Sequence, residues 1–108
     1  MGLVGDKSKR FAIRIVRVYQ YLAKEKKELV MSKQLLRSGT SIGANLAEAE
    51  YAFSRNDFQA KLYISLKETS ETLYWLELLW KTGYLSQAQY DSLFFRRGRA
   101  AQAALLLH

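Results

Sequence analysis

An all-α, antiparallel up-down-up-down bundle of four helices is the fold this sequence predicts, and three observations carry it. The chain contains no proline and only six glycines in 108 residues, so little interrupts long helices. Its apolar residues recur at three- and four-residue steps through most of its length. Between the periodic stretches lie short cap and stop signals rather than long loops, and loops this short place successive helices antiparallel. One domain spanning residues 1–108 is expected, because a chain of this size buries about 60–70% of its unfolded surface around a single core.

The first helix is expected from about Lys7 to Leu29. Phe11, Ile15, Val18 and Leu22 form its buried seam, Ala12, Val16 and Tyr19 widen that face, and Arg10, Arg14, Arg17, Tyr21 and Lys24 lie opposite. Ser32 serves as the cap of a second helix that runs to about Ala52. Ser54, with Asp57 in the first turn, opens the third and longest helix, which reaches Thr82 and stops at Gly83. Ser86 and Gln89 then form the capping-box pattern of a fourth helix.

Within the second helix, Leu35, Gly39, Ile42, Leu46 and Ala49 fall on one side and Arg37, Ser41, Asn45 and Glu48 on the other. Gly39 and Gly43 each cost about 1 kcal/mol relative to Ala inside a helix. Close approach of a neighbouring helix is the expected compensation. A phosphate-cradling loop is not, because no strand precedes the glycines and no lysine-bearing loop follows.

The third helix is apolar around much of its circumference. Phe58, Leu62, Leu73, Leu76 and Trp80 make one seam, Ile64, Trp75, Leu78 and Leu79 a second sector, and Tyr63 and Tyr74 a third. The second sector reads as an oligomer interface; the alternative is a set of aromatics half-buried around one core.

Charge is distributed unevenly. Residues 1–37 hold ten Lys and Arg against three Asp and Glu, residues 38–90 carry a net −2 and residues 91–108 a net +2, within an overall +7. The row Lys7, Arg10, Arg14, Arg17 and Lys24, with Lys26 and Lys27 beyond it and Tyr21 available to stack on a base, is the candidate nucleic-acid surface. A solvated helix face is the alternative. Arg96, Arg97 and Arg99 form a second basic cluster that either adds to this surface or answers the dipole of the last helix.

Several classes are disfavoured. Cysteine is absent, which removes disulfides and thiolate metal sites and suits a reducing compartment. The first six residues lack the apolar core of a signal peptide, and no segment approaches the roughly 18 apolar residues of a membrane span. A cytoplasmic protein is expected. The single histidine is His108, so the Glu-x-x-His motif of a di-iron bundle and any nucleophile–histidine pairing are missing. Arg37, Ser41, Asn45 and Glu48, with Lys67, Glu68 and Glu71, are therefore assigned to a structural polar network rather than to acid–base catalysis. No enzyme activity, cofactor or metal is expected.

The run Arg37-Ser38-Gly39-Thr40-Ser41-Ile42-Gly43-Ala44-Asn45-Leu46-Ala47-Glu48, followed by Ser54, Asp57-Phe58, Lys67-Glu68, Glu71-Thr72 and Gly83-Tyr84-Leu85, resembles the 23S rRNA intervening-sequence protein family of bacteria. The resemblance covers most of the chain. It implies the four-helix fold and, through the related accessory variability proteins of diversity-generating retroelements, a ring-like homopentamer with a basic surface. It also implies nucleic acid as a partner, and a protein partner such as a reverse transcriptase or ribonucleoprotein. The resulting expectation is a non-enzymatic, homo-oligomeric accessory protein that binds the backbone of RNA or DNA. A protein-interaction scaffold without direct nucleic-acid binding is the alternative.

Overall fold

The computed structural model describes residues 2–93, and these are all-α. Three long helices, α1 (Gly2–Lys24), α2 (Met31–Ala49) and α3 (Arg55–Lys81), are followed by α4, described over residues 87–93. Successive helices run antiparallel, and α2 packs against both α1 and α3. Leu93 of α4 and Leu85 before it enter the same core as Phe11, Ile15 and Leu22 of α1, Leu35, Ile42 and Leu46 of α2, and Leu62, Leu76 and Leu79 of α3. Trp80 stacks on Tyr90 at 4.4 Å between ring centroids, which fastens α4 to α3.

Both glycines of α2 lie where it meets α1. A Cβ on Gly39 would stand 2.9 Å from Cγ1 and Cγ2 of Ile15, and one on Gly43 would stand 3.1 Å from the Ser8 hydroxyl. The expected compensation is thus present, as contact between α2 backbone and α1 side chains. Ser8 is itself buried and donates to the Gly5 carbonyl.

Two caps match the sequence. The Ser54 side chain accepts from the Asp57 amide at 3.0 Å, while the Asp57 carboxylate accepts from Phe53 N at 3.3 Å. Ser86 and Gln89 exchange reciprocal bonds, Gln89 N to Ser86 Oγ at 3.1 Å and Ser86 N to Gln89 Oε1 at 2.8 Å. Gly83 takes φ +88° and ends α3 as anticipated.

The junction of the first two helices departs from expectation. Helix α1 begins at Gly2 and ends at Lys24, five residues before Leu29. Lys27 enters the left-handed region at φ +57°, and the Glu28 amide turns back to the Leu22 carbonyl at 2.9 Å. Nor is Ser32 the cap of α2. Val30 occupies that position without a side-chain bond, and the Glu28 carboxylate accepts from the amides of Val30, Met31 and Ser32 at 3.1, 3.1 and 2.7 Å. Ser32 is buried, donating to the Glu28 carbonyl. Burial pushes the Glu28 carboxyl up, but the amides and the Ser32 hydroxyl outweigh it and hold the group below the usual carboxylate range. At its other end α2 stops at Ala49 rather than Ala52, where the chain tightens into i to i−3 bonds from Glu50, Tyr51 and Ala52.

Two face assignments are corrected. Val16 is exposed rather than widening the buried face of α1, and Leu79 is fully buried in the core rather than lying in an outer sector of α3. In a helix with apolar residues all round, contact with α2 selects which of them become interior.

Candidate nucleic-acid interface

Arg10, Arg17 and Lys24 recur at seven-residue steps along the exposed side of α1, with Lys9 also exposed and Lys7 half-buried. Lys26 and Lys27 extend the row into the α1–α2 loop, where both are exposed. The two inner members of the row are placed differently. Arg14 is half-buried and donates from Nη2 to Ser92 Oγ of α4 at 2.5 Å, and Tyr21 is half-buried against the core. Both therefore belong to the α1–α4 seam. Arg96, Arg97 and Arg99 lie outside the described residues.

The ion pairs set α1 apart. Among the described residues they are Arg37–Glu68, Arg37–Glu71, Lys61–Glu48 and Lys81–Glu77, all on α2 and α3. No described cation of α1 has a carboxylate within 4.0 Å, and Arg14 leans on a neutral hydroxyl that leaves its charge uncompensated. From Lys7 to Lys24 the helix carries positive charge that no described ion pair compensates.

The polar residues of α2 and α3 form two separate clusters. Arg37 bridges Glu68, at 2.8 Å, and Glu71, and the indole Nε1 of Trp75 donates to the same Glu71 carboxylate at 3.0 Å. Trp75 and then Arg37 hold the Glu71 carboxyl below its usual range, while Glu71 and then Glu68 raise Arg37. Nearer the α2–α3 turn, Glu48 pairs with Lys61 at 2.8 Å, which raises the lysine. Ser41 donates to the Arg37 carbonyl and Asn45 to the Ser41 carbonyl, so both serve α2 itself. Lys67 is exposed and joins neither cluster.

Two side chains and a row of hydroxyls escaped the sequence reading. Lys61 and Trp75 complete the two clusters, and between them a buried row of hydroxyls runs along the α2–α3 contact. Ser65 donates to the Ile42 carbonyl at 3.0 Å, and Thr72 Oγ1 lies 3.0 Å from Ser38 Oγ and 2.7 Å from the Glu68 carbonyl. Ser38, Ser65 and Thr72 are each fully buried. The spacing of Ser65, Thr69 and Thr72 at four and three residues was the available signal.

Of the proposed interface residues, Ile64 is 38% exposed, Leu78 is half-buried, and Trp75 lies half-buried against the core with its ring edge-on to Tyr74. Tyr63 and Tyr74, eleven residues or three turns apart, share an exposed face of α3 beside Ile64. No described helix is long and apolar enough to cross a membrane.

Fold and surface together define a small all-helical bundle protein with a polar seam between its middle helices and an uncompensated cationic first helix. The chain belongs to the 23S rRNA-intervening sequence protein family, which matches residues 3–100. It is also similar to a crystal structure of a protein of unknown function from the S23 ribosomal protein family of Bacteroides thetaiotaomicron. That similarity has a TM-score of 0.97 and 53% sequence identity, over 98% of this chain and 95% of the other. No curated protein matches the chain.

Proposed function

We propose that the protein is a non-enzymatic nucleic-acid-binding accessory protein that holds the phosphate backbone along α1 and works as a homo-oligomer, the ring of five implied by the family resemblance. The observation that supports this most directly is the charge segregation: Glu48, Glu68, Glu71 and Glu77 of α2 and α3 are ion-paired within the bundle, while the described cations of α1 are left for a partner. Backbone contacts of this kind have little sequence preference and steep salt dependence, because each neutralised phosphate releases counterions. Exposed Tyr63, Ile64 and Tyr74 on α3 supply apolar surface for the contact between copies. The same surface favours the second reading, a scaffold for a protein partner.

The test is a salt series of binding titrations on single- and double-stranded probes, comparing wild type with Arg10→Glu/Arg17→Glu/Lys24→Glu. These three side chains are exposed, Arg17 alone of them also bordering the groove between α1 and α4, so helicity and oligomer size should be unchanged. Weaker binding and a shallower slope of log affinity against log salt are expected. Equal affinities would reduce the row to a solvated face and leave the scaffold reading in its place.

A further inference from the structure

The two arginines at the α1–α4 seam form a more specific feature than a charged stripe. A cavity of about 300 Å³ opens there, lined by Arg14 and Arg17 from α1, with Tyr21 and Gln89 at its sides and Leu85 and Leu93 on its apolar wall. No described carboxylate pairs with either guanidinium. Ser92 holds the Arg14 guanidinium from α4, so one donor fork is fixed in place while its remaining N–H groups stay available. Positions 14 and 17 are three residues apart and lie on one helix face, which lets both forks converge on one anion.

We propose that this cavity is a subsite for a terminal phosphate monoester carrying a nucleoside. Two guanidinium groups match the two negative charges that a monoester carries above its second pKa near 6, whereas an internal phosphodiester carries one. The volume is on the scale of a single nucleotide. Arg14 and Arg17 hold the phosphate, and Tyr21 with the leucine wall receives the attached ring system. The shared chemistry has two sources, a free nucleoside monophosphate and the phosphorylated end of a strand. The second source rests on the nucleic-acid reading above; the first does not.

The experiment separates them. Adenosine 5′-monophosphate and adenosine are titrated calorimetrically against wild type, Arg14→Gln, Arg17→Gln and Ser92→Ala, each checked for helicity and oligomer size. A short single strand bearing a 5′-phosphate, a 3′-phosphate or neither is titrated in parallel. The monophosphate is expected to bind where adenosine does not, and each arginine variant to lose about tenfold or more. Ser92→Ala should lose less, because both charges remain and only the fixing of Arg14 is gone. A phosphorylated end should bind about tenfold tighter than the hydroxyl form, a difference the arginine variants abolish. If the monophosphate binds but a terminal phosphate adds nothing to the strand, the subsite stands with the free nucleotide as its ligand. Strands bound equally with and without terminal phosphate, together with no uptake of the monophosphate, would overturn the subsite while leaving backbone binding intact. Binding of the monophosphate with no binding of any strand would sustain the subsite and sink the nucleic-acid function.

Discussion

Replacing Gly39 by Ala sets two terms of opposite sign against each other, and the structure decides between them. Removing a glycine from a helix interior is worth about 1 kcal/mol in favour of the variant. Against that, the new methyl would lie 2.9 Å from both Cγ atoms of Ile15 and 3.3 Å from its Cβ, well inside van der Waals contact. Ile15 is fully buried and β-branched, so it has one comfortable rotamer in a helix and no space to turn into. Both Cγ atoms are struck at once, so no single rotation relieves both contacts, and α1 must move away from α2. Overpacking of this kind costs about 1–3 kcal/mol and here sits toward the upper end. The net expectation is a loss of roughly 1–2 kcal/mol, or about 5–15 °C in Tm for a domain of this size.

Thermal and denaturant unfolding followed by circular dichroism, at one fixed protein concentration because assembly shifts apparent stability, measures this directly. Ile15→Ala alone should cost about 2–5 kcal/mol through the cavity it leaves. In the double variant the alanine at 39 moves into that space, so the two changes should be less than additive by about 1 kcal/mol or more. Gly43→Ala is the internal control. Its methyl meets the Ser8 hydroxyl at 3.1 Å and its Cβ at 3.3 Å, a milder contact that the helix-propensity gain nearly offsets. A Gly39→Ala variant as stable as wild type, or additive with Ile15→Ala, would show that the close approach of α1 and α2 is not what the glycine serves.

Other expectations follow from single contacts. Glu28→Gln should lower stability by about 1 kcal/mol at neutral pH, since a charge-assisted cap is lost from the start of α2. Because the folded Glu28 titrates below its unfolded value, its contribution is complete above the unfolded pKa and disappears as pH falls through the folded one, so the gap between wild type and variant should narrow as pH falls below the unfolded glutamate value and close once the folded carboxyl is protonated; a gap that persists in acid would assign the effect to packing. Ser65→Ala should cost about 0.5–1.5 kcal/mol by removing the bond to the Ile42 carbonyl, whereas Arg37→Ala, at a half-exposed ion pair, should cost under about 1 kcal/mol and less still in high salt. Ile64→Lys should shift sedimentation toward smaller species without unfolding the protomer, and an unchanged oligomer would remove this face of α3 from the subunit contact.

Legibility in the sequence followed the range of the interaction. Ser54 with Asp57, Ser86 with Gln89, and Gly83 act within four residues, and each was readable from spacing alone. The glycines of α2 were readable because their cost demanded a neighbour, although nothing in the sequence said that Ile15 would be that neighbour. The start of α2 was not readable. A glutamate two residues ahead of the cap position reaches its three amides only after Lys27 has turned the chain left-handed, a conformation that a lysine does not announce. Leu79 was misassigned because leucines surround α3, and only its register against α2 decides which are interior. Glu48 finds Lys61 rather than Lys67, and Arg14 finds Ser92, for the same reason: both pairings cross between helices.

The segregation of charge bears on what α1 is for. Lys7, Arg10, Arg14 and Arg17 stand at three- and four-residue steps, and like charges at those steps destabilise a helix by a few tenths of a kcal/mol per pair. The first turn of α1 carries no acid to offset its dipole, although Lys24 complements the last turn. In α2 and α3, Arg37, Lys61 and Lys81 are paired with Glu48, Glu68, Glu71 and Glu77, so matched charges were attainable in this bundle, whereas no described cation of α1 is paired. A helix that bears this repulsion stays folded because Phe11, Ile15 and Leu22 anchor it, and a polyanion laid along its outer side turns the repulsion into attraction. Under the proposed function, stability and binding would sit on opposite faces of the same helix. Charge reversal at Arg10 and Arg17, with Lys24 kept on the last turn, should accordingly weaken nucleic-acid binding while leaving the melting temperature unchanged or raised, and a fall in both together would mean that the row is part of the bundle's own packing.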